Sequence, residues 1–121
     1  MGSSRPTELQ EQIALVRVLR KARLVYCAVP NGGYRLAGEA KRLRASGVVA
    51  GVPDLLIFDA PPDSESVGTA LELKRTGLKA SSVSKAQRAW LEKLEDRGWV
   101  SLVAFGCDDA IQQLRGLGYD I

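Results

Sequence analysis

The sequence contains no histidine, and among its 121 residues are only two cysteines, one methionine and an aromatic fraction of 6%. Each scarcity removes a class of chemistry. Without histidine there is no Ser-His-Asp triad, no Cys-His dyad and no zinc site of the Cys/His type. Cys27 and Cys107 lie far apart in segments that read as structured, so both are expected to be buried free thiols rather than a disulfide. No stretch approaches the roughly 18 apolar residues that a membrane span needs, and no signal-peptide pattern precedes the first helix. A cytoplasmic protein is therefore expected, and any catalysis must rest on carboxylates, lysine and metal.

What is present is ordinary globular material, 45% hydrophobic and 26% charged, enough for one core and too short for two. Residues 1–6 read as a frayed terminus and residues 7–121 as a single domain. The net charge of +3 and a pI near 9.1 are mildly basic, a weak pointer toward nucleic acid.

Local patterns set out the elements. Thr7-Glu8-Leu9-Gln10 matches a capping box and opens a helix from Glu8 to about Ala22, with Leu9, Ile13, Val16 and Leu19 at helical spacing, widened by Leu15. Leu24 to Val29 is a β-rich run closed by the turn signal Pro30-Asn31-Gly32-Gly33. The next segment carries Arg35, Lys41, Arg42 and Arg44 against a single Glu39, with a short helix expected around Glu39 to Ala45. It reads either as a solvated surface or as a basic arm on a phosphate backbone. Two short strands follow, Asp54 to Phe58 and Thr69 to Lys74, joined by a Pro/Asp/Ser/Gly-rich loop and expected to be antiparallel. Ser84 caps a helix that runs to about Arg97, with Ala86, Trp90 and Leu94 joined by Ala89, Leu91 and Lys93 in its stripe. Gly98 stops it, Trp99 to Phe105 is a strand, and Cys107 to about Leu117 is a last helix opened by Asp108 and Asp109. The predicted order is α-β-β-β-α-β-α, an α/β fold with a mixed four-stranded sheet flanked by helices.

The chemistry concentrates at two strand ends. Asp54 opens a run, Leu-Leu-Ile-Phe, that reads as buried on both faces, so its carboxylate needs a partner. Glu72 and Lys74 alternate with Leu71 and Leu73, which puts both charged side chains on one face. Adjacent strands could bring Asp54, Glu72 and Lys74 together. Two carboxylates can hold a hard cation such as Mg2+ or Mn2+ through oxygen, and a lysine beside them can orient water or neutralise charge in phosphodiester hydrolysis. A lone Glu-x-Lys would ordinarily be a solvated edge-strand pair.

The joint pattern is more specific. Gly47-Val-Val-Ala-Gly51-Val-Pro-Asp54-Leu, then Glu72-Leu-Lys74, then Ser84-x-x-Gln87-x-x-Trp90-Leu-x-x-Leu94-x-x-x-Gly98 resembles the VRR-NUC nucleases of the PD-(D/E)xK superfamily, over roughly Thr7 to Leu114. Pro30-Asn31-Gly32-Gly33 and the basic segment after it also resemble the stand-alone members. The resemblance implies a restriction-endonuclease-like core, a Mg2+ or Mn2+ held by Asp54, Glu72 and the main-chain carbonyl of Leu73, Lys74 as the catalytic lysine, and Gln87 near the metal or the attacking water. It further implies an acid on the first helix. Glu8, four residues before Gln12 and turned toward the apolar side by 100° steps, is favoured over Glu11, although a glutamate at a helix start also suits the macrodipole alone. DNA contacts are expected at Asn31, Arg35, Lys41, Arg42, Arg44, Arg75 and Lys79. Stand-alone members resemble Holliday-junction resolvases, which implies branched DNA as substrate, a homodimer, and a bacterial or phage role in recombination, repair or restriction.

Two other readings compete with a metal-dependent endodeoxyribonuclease. One is a noncatalytic nucleic-acid-binding subunit with a nuclease-like fold, against which intact Asp54, Glu72 and Lys74 argue. The other is a small scaffold whose strand-end charges are ion pairs.

Overall fold

A computed structural model describes residues 5–30 and 37–121. The elements are α1 (Glu8–Lys21), β1 (Tyr26–Ala28), α2 (Ala37–Ala45), β2 (Leu55–Ile57), β3 (Gly68–Lys74), a 3-10 turn (Ala80–Ser82), α3 (Lys85–Glu95), β4 (Trp99–Phe105) and α4 (Cys107–Gly116). The sheet order is β1-β2-β3-β4. β1 and β2 are antiparallel, as are β2 and β3, while β3 and β4 run parallel through the α3 crossover. The mixed α/β architecture is the expected one, with the 3-10 turn as an added element between β3 and α3.

The register divides the side chains between two faces. Leu55, Ile57, Thr69, Leu71, Leu73 and Ala104 share one face by strand alternation and pairing, and all are fully buried. Leu15 and Leu19 of α1 and Ala110 and Leu114 of α4 close this core. Glu72 and Lys74 lie on the opposite face, the side that α3 covers.

Four local expectations need correction. The buried side of α1 is Glu11, Leu15 and Leu19, whereas Leu9 and Ile13 are 66% and 45% exposed. The stripe is turned because Glu11, a charged residue that an apolar pattern passes over, has its own donors inside the fold. β2 is not buried on both faces either: Leu55 and Ile57 are covered, but Phe58 at its end is 48% exposed, its ring edge-on to Trp99 at 5.9 Å. Of the two free cysteines, Cys107 is buried as expected, whereas Cys27 is exposed, because it lies on the open face of edge strand β1. Along α3, Gln87, Trp90, Leu91 and Leu94 turn inward, leaving Ala86, Ala89 and Lys93 exposed. Among the described residues no helix is long and apolar enough to cross a membrane.

Candidate active site

β3 carries Glu72 and Lys74 to the end of the sheet where β2 begins, and the antiparallel register sets Leu55 opposite Leu71. Asp54, one residue before Leu55, therefore falls opposite Glu72, and its Oδ2 accepts a 2.8 Å hydrogen bond from the N–H of the next residue, Leu73. The Asp54 carbonyl in turn accepts from Val29 N at 2.8 Å, so the residue is pinned to strands on both sides. A strand residue presents its N–H and C=O to the same neighbour, which puts the Leu73 carbonyl on the Asp54 side as well. The chain reaches Asp54 through Gly51, at φ +92°, where a Cβ would lie 2.8 Å from the Ala86 main-chain carbon. Only glycine lets this segment press so closely against the first turn of α3.

That first turn supplies the next component. Ser84 and Gln87 form a capping box: Ser84 Oγ accepts from Gln87 N at 3.1 Å, and Gln87 Oε1 accepts from Ser84 N at 2.8 Å. The same Oε1 also accepts from Lys74 Nζ at 3.0 Å, while Gln87 Nε2 donates to Glu72 Oε1 at 3.0 Å. One amide thus holds the ammonium with its oxygen and the carboxylate with its nitrogen, which fixes its own orientation.

Glu72 is 2% exposed, and its second oxygen, Oε2, is buried without a hydrogen-bond partner among the described residues. Burial, then the adjacent Asp54 carboxylate, pushes its pKa from 4.5 up to about 8, with Glu8 adding in the same direction and Lys74 opposing. A buried orphan oxygen is costly, and a proton or a cation relieves it. The donors are all oxygen, the set that Mg2+ and Mn2+ prefer. The residues present therefore fit such an ion: Asp54 and Glu72 as carboxylates, with the Leu73 carbonyl alongside. They form a pair rather than a larger cluster, since among the described residues no group of three or more His, Cys, Asp or Glu side chains is placed to hold a metal.

The two acids of α1 differ sharply. Glu8 is exposed, yet its pKa is raised, first by partial burial and then by the charge of Asp54, with Lys74 pulling the other way. Its carboxylate thus lies within the field of the pair. Glu11 is 8% exposed and accepts from Thr76 Oγ1, from Thr76 N at 3.3 Å and from Cys107 N at 3.3 Å. Burial acts to raise its pKa, but these donors and the charge of Arg75 outweigh it and hold the carboxyl below its ordinary value. Sequence spacing favoured Glu8 as the acid near the strand ends; it contained no signal for the donors around Glu11.

A family model described as the VRR-NUC domain matches residues 6–106. The chain belongs to the VRR-NUC family. A solved structure titled "VRR_NUC domain protein" superposes with a TM-score of 0.70 at 22% identity, covering 95% of this chain and 90% of that one. No curated protein matches. The VRR-NUC assignment carries a nuclease-type fold, with the α-β-β-β-α-β-α core and its short α2 in the order expected.

The expected DNA contacts of this VRR-NUC domain are spread over several segments. Lys41, Arg42 and Arg44 are exposed on α2, and Lys79 is exposed at the start of the 3-10 turn. Asn31 and Arg35 lie outside the described residues. Arg75 is half-buried and its guanidinium is spent on the chain itself, donating to Pro6 O at 2.9 Å and Arg5 O at 3.0 Å. Thr76, which no motif singled out, lies at the centre of the Glu11 contacts.

Proposed function

We propose that this VRR-NUC domain is a divalent-metal-dependent endodeoxyribonuclease, with Asp54, Glu72 and the Leu73 carbonyl holding the ion, Glu8 as an additional acid and Lys74 as the catalytic lysine. The observation that carries this reading is the buried Glu72 Oε2 beside Asp54, without a hydrogen-bond partner among the described residues: two carboxylates meet at a strand end, where burial and the Asp54 charge disfavour the Glu72 anion. When bound there, Mg2+ or Mn2+ supplies Lewis-acid chemistry toward the phosphate and an activated water. The chain's own residues do the rest. Lys74, aimed by Gln87 Oε1, offers positive charge to a developing phosphorane, and Gln87 Nε2 keeps Glu72 oriented for its ligand. Exposed Lys41, Arg42, Arg44 and Lys79 supply backbone affinity that is independent of sequence.

The sharper form is cleavage of branched DNA by a homodimer. It is supported by the likeness of the motif pattern to members that resemble junction resolvases. The test incubates the protein and Lys74→Ala with labelled four-way junction, flap, single-stranded and linear duplex DNA, each with Mg2+, Mn2+ or EDTA. Paired nicks confined to the junction, absent in EDTA and in the variant, are expected. Cleavage of every substrate alike would remove the branched preference, and a folded protein that binds DNA but cuts none would leave a noncatalytic subunit.

A further inference from the structure

We propose that Arg75 and Thr76, the two residues following Lys74, are positioning residues that bolt the first turn of α1 to the end of β3 and thereby set Glu8 against Asp54. The inference rests on the nuclease reading above and adds to it the device that assembles the site from two distant parts of the chain.

Glu8 sits between two fastenings. On its N-terminal side the Arg75 fork donates to the carbonyls of Pro6 and Arg5 at 2.9 and 3.0 Å. On its C-terminal side Thr76 donates through both its hydroxyl and its N–H to Glu11 Oε2. The span between them is kept rigid by the Thr7–Gln10 capping box, with bonds of 2.9 and 3.1 Å. Glu8 and Glu11 are three residues apart and so share a side of the helix, which means that anchoring Glu11 also fixes the direction of Glu8.

The bolt is seated on the strand that bears the lysine. Gly106 N donates to the Lys74 carbonyl at 2.8 Å, and Cys107 N, the next amide, donates to Glu11 Oε1. A Cβ at Gly106 would come within 2.1 Å of Thr76 Oγ1 and 2.6 Å of Glu11 Oε2, so the residue leaves room for the hydroxyl and carboxylate to meet. Thr76 is exposed and Arg75 half-buried, so neither contributes substantially to the core. Their side-chain hydrogen bonds go to α1 and the segment leading into it.

The experiment uses wild type, Thr76→Ala, Glu8→Gln and the double variant, reading the single-turnover cleavage rate with Mn2+ and, separately, Mn2+ affinity by calorimetry. Loss of outer support to a metal site typically costs on the order of 10–100-fold, so Thr76→Ala is expected to lower both readouts by about 10-fold. In the Glu8→Gln background the same change is expected to cost less than about 2-fold, because the residue it positions is gone. Thr76→Ser, which keeps the hydroxyl, is expected to restore the wild-type values, and melting curves confirm that every variant is folded. Equal losses in both backgrounds, or a Glu8→Gln protein with wild-type rate and affinity, would overturn the proposal. A wild-type protein that binds Mn2+ without Lys74-dependent cleavage sinks the nuclease reading instead, and the calorimetric cycle then decides the bolt by itself.

Discussion

The two helices that start beside the candidate site, α1 and α3, open with the same device and use it differently. Thr7 and Ser84 have the same backbone conformation, φ −72° and ψ 163°, and each closes a reciprocal box with the glutamine three residues on. Gln10 is exposed, and the hydrogen bonds described for it serve that box. Gln87 carries two more, to Lys74 and Glu72, through the same amide. A capping box requires only local geometry, so it is readable from spacing. Whether the glutamine's remaining valence meets solvent or a strand end depends on what lies across from the helix start. At α3 the Gly51 contact with Ala86 brings the Asp54 segment close, and β3 runs beneath.

The largest effect is expected from removing what Gln87 holds. Lys74→Ala should reduce metal-dependent cleavage by about 100- to 1000-fold, the usual loss for a single group stabilising transition-state charge, with DNA binding retained in a gel-shift assay. The paired glutamines come next. Gln87→Ala should cost roughly 10-fold in cleavage rate, in the range seen for groups that orient a metal ligand. Gln10→Ala should lose only about 0.3–1.5 kcal/mol of stability in a denaturant melt, leaving the rate unchanged. A comparable loss of rate in both would mean that Gln87 acts as a cap and nothing more.

pH separates the two regions further. Glu72, raised from 4.5 to about 8 by burial and by Asp54, is more protonated in the folded chain than in the unfolded one. Its contribution to stability is therefore complete below pH 4.5 and is lost as the pH rises through about 8. Glu11 has the opposite sign: its lowered pKa gives stability that is present above 4.5 and lost as the pH falls through the depressed value. Because a cation takes the deprotonated carboxylate, Mn2+ affinity should climb with pH up to about 8 and then level off, with protons released on binding, as calorimetry in buffers of different ionisation heat would show. A flat affinity between pH 6 and 8 would place the ion away from Glu72.

The smallest effect is the most diagnostic of strain at the site. Asp54→Asn keeps an acceptor for the Leu73 N–H but removes the charge that opposes Glu72. It should raise the melting temperature of the metal-free protein at pH 8 by a few degrees, roughly what ~1 kcal/mol gives at this size. A lower melting temperature would show that Asp54 is chiefly a structural partner of Leu73.

Much of this was legible in the sequence because it is written in short-range periods. β4 has the bounds its apolar run indicated, α1 and α3 start at their caps, and Glu72 and Lys74 share a face by strand alternation. The stripe of α1 was misread because hydrophobic periodicity counts Leu9 and Ile13 as inward and passes over the charged Glu11. Burial of a carboxylate depends on donors elsewhere in the chain, and spacing within a helix holds no record of them. The partners of Arg75 were hidden for a related reason: its fork meets two carbonyls before the first helix, 69 and 70 residues away in the chain.

By itself the sequence determined which segments become helix or strand, their order, and the chemical set of Asp54, Glu72 and Lys74, since backbone preference and side-chain alternation act over a few residues. Only the tertiary structure decided the partners. It placed Gln87 between Lys74 and Glu72, gave Glu11 to Thr76 and Cys107, and left Glu72 Oε2 buried with none among the described residues. Those outcomes depend on atoms far apart in the chain meeting within hydrogen-bond distance, and it is the strand register and helix packing that bring them there.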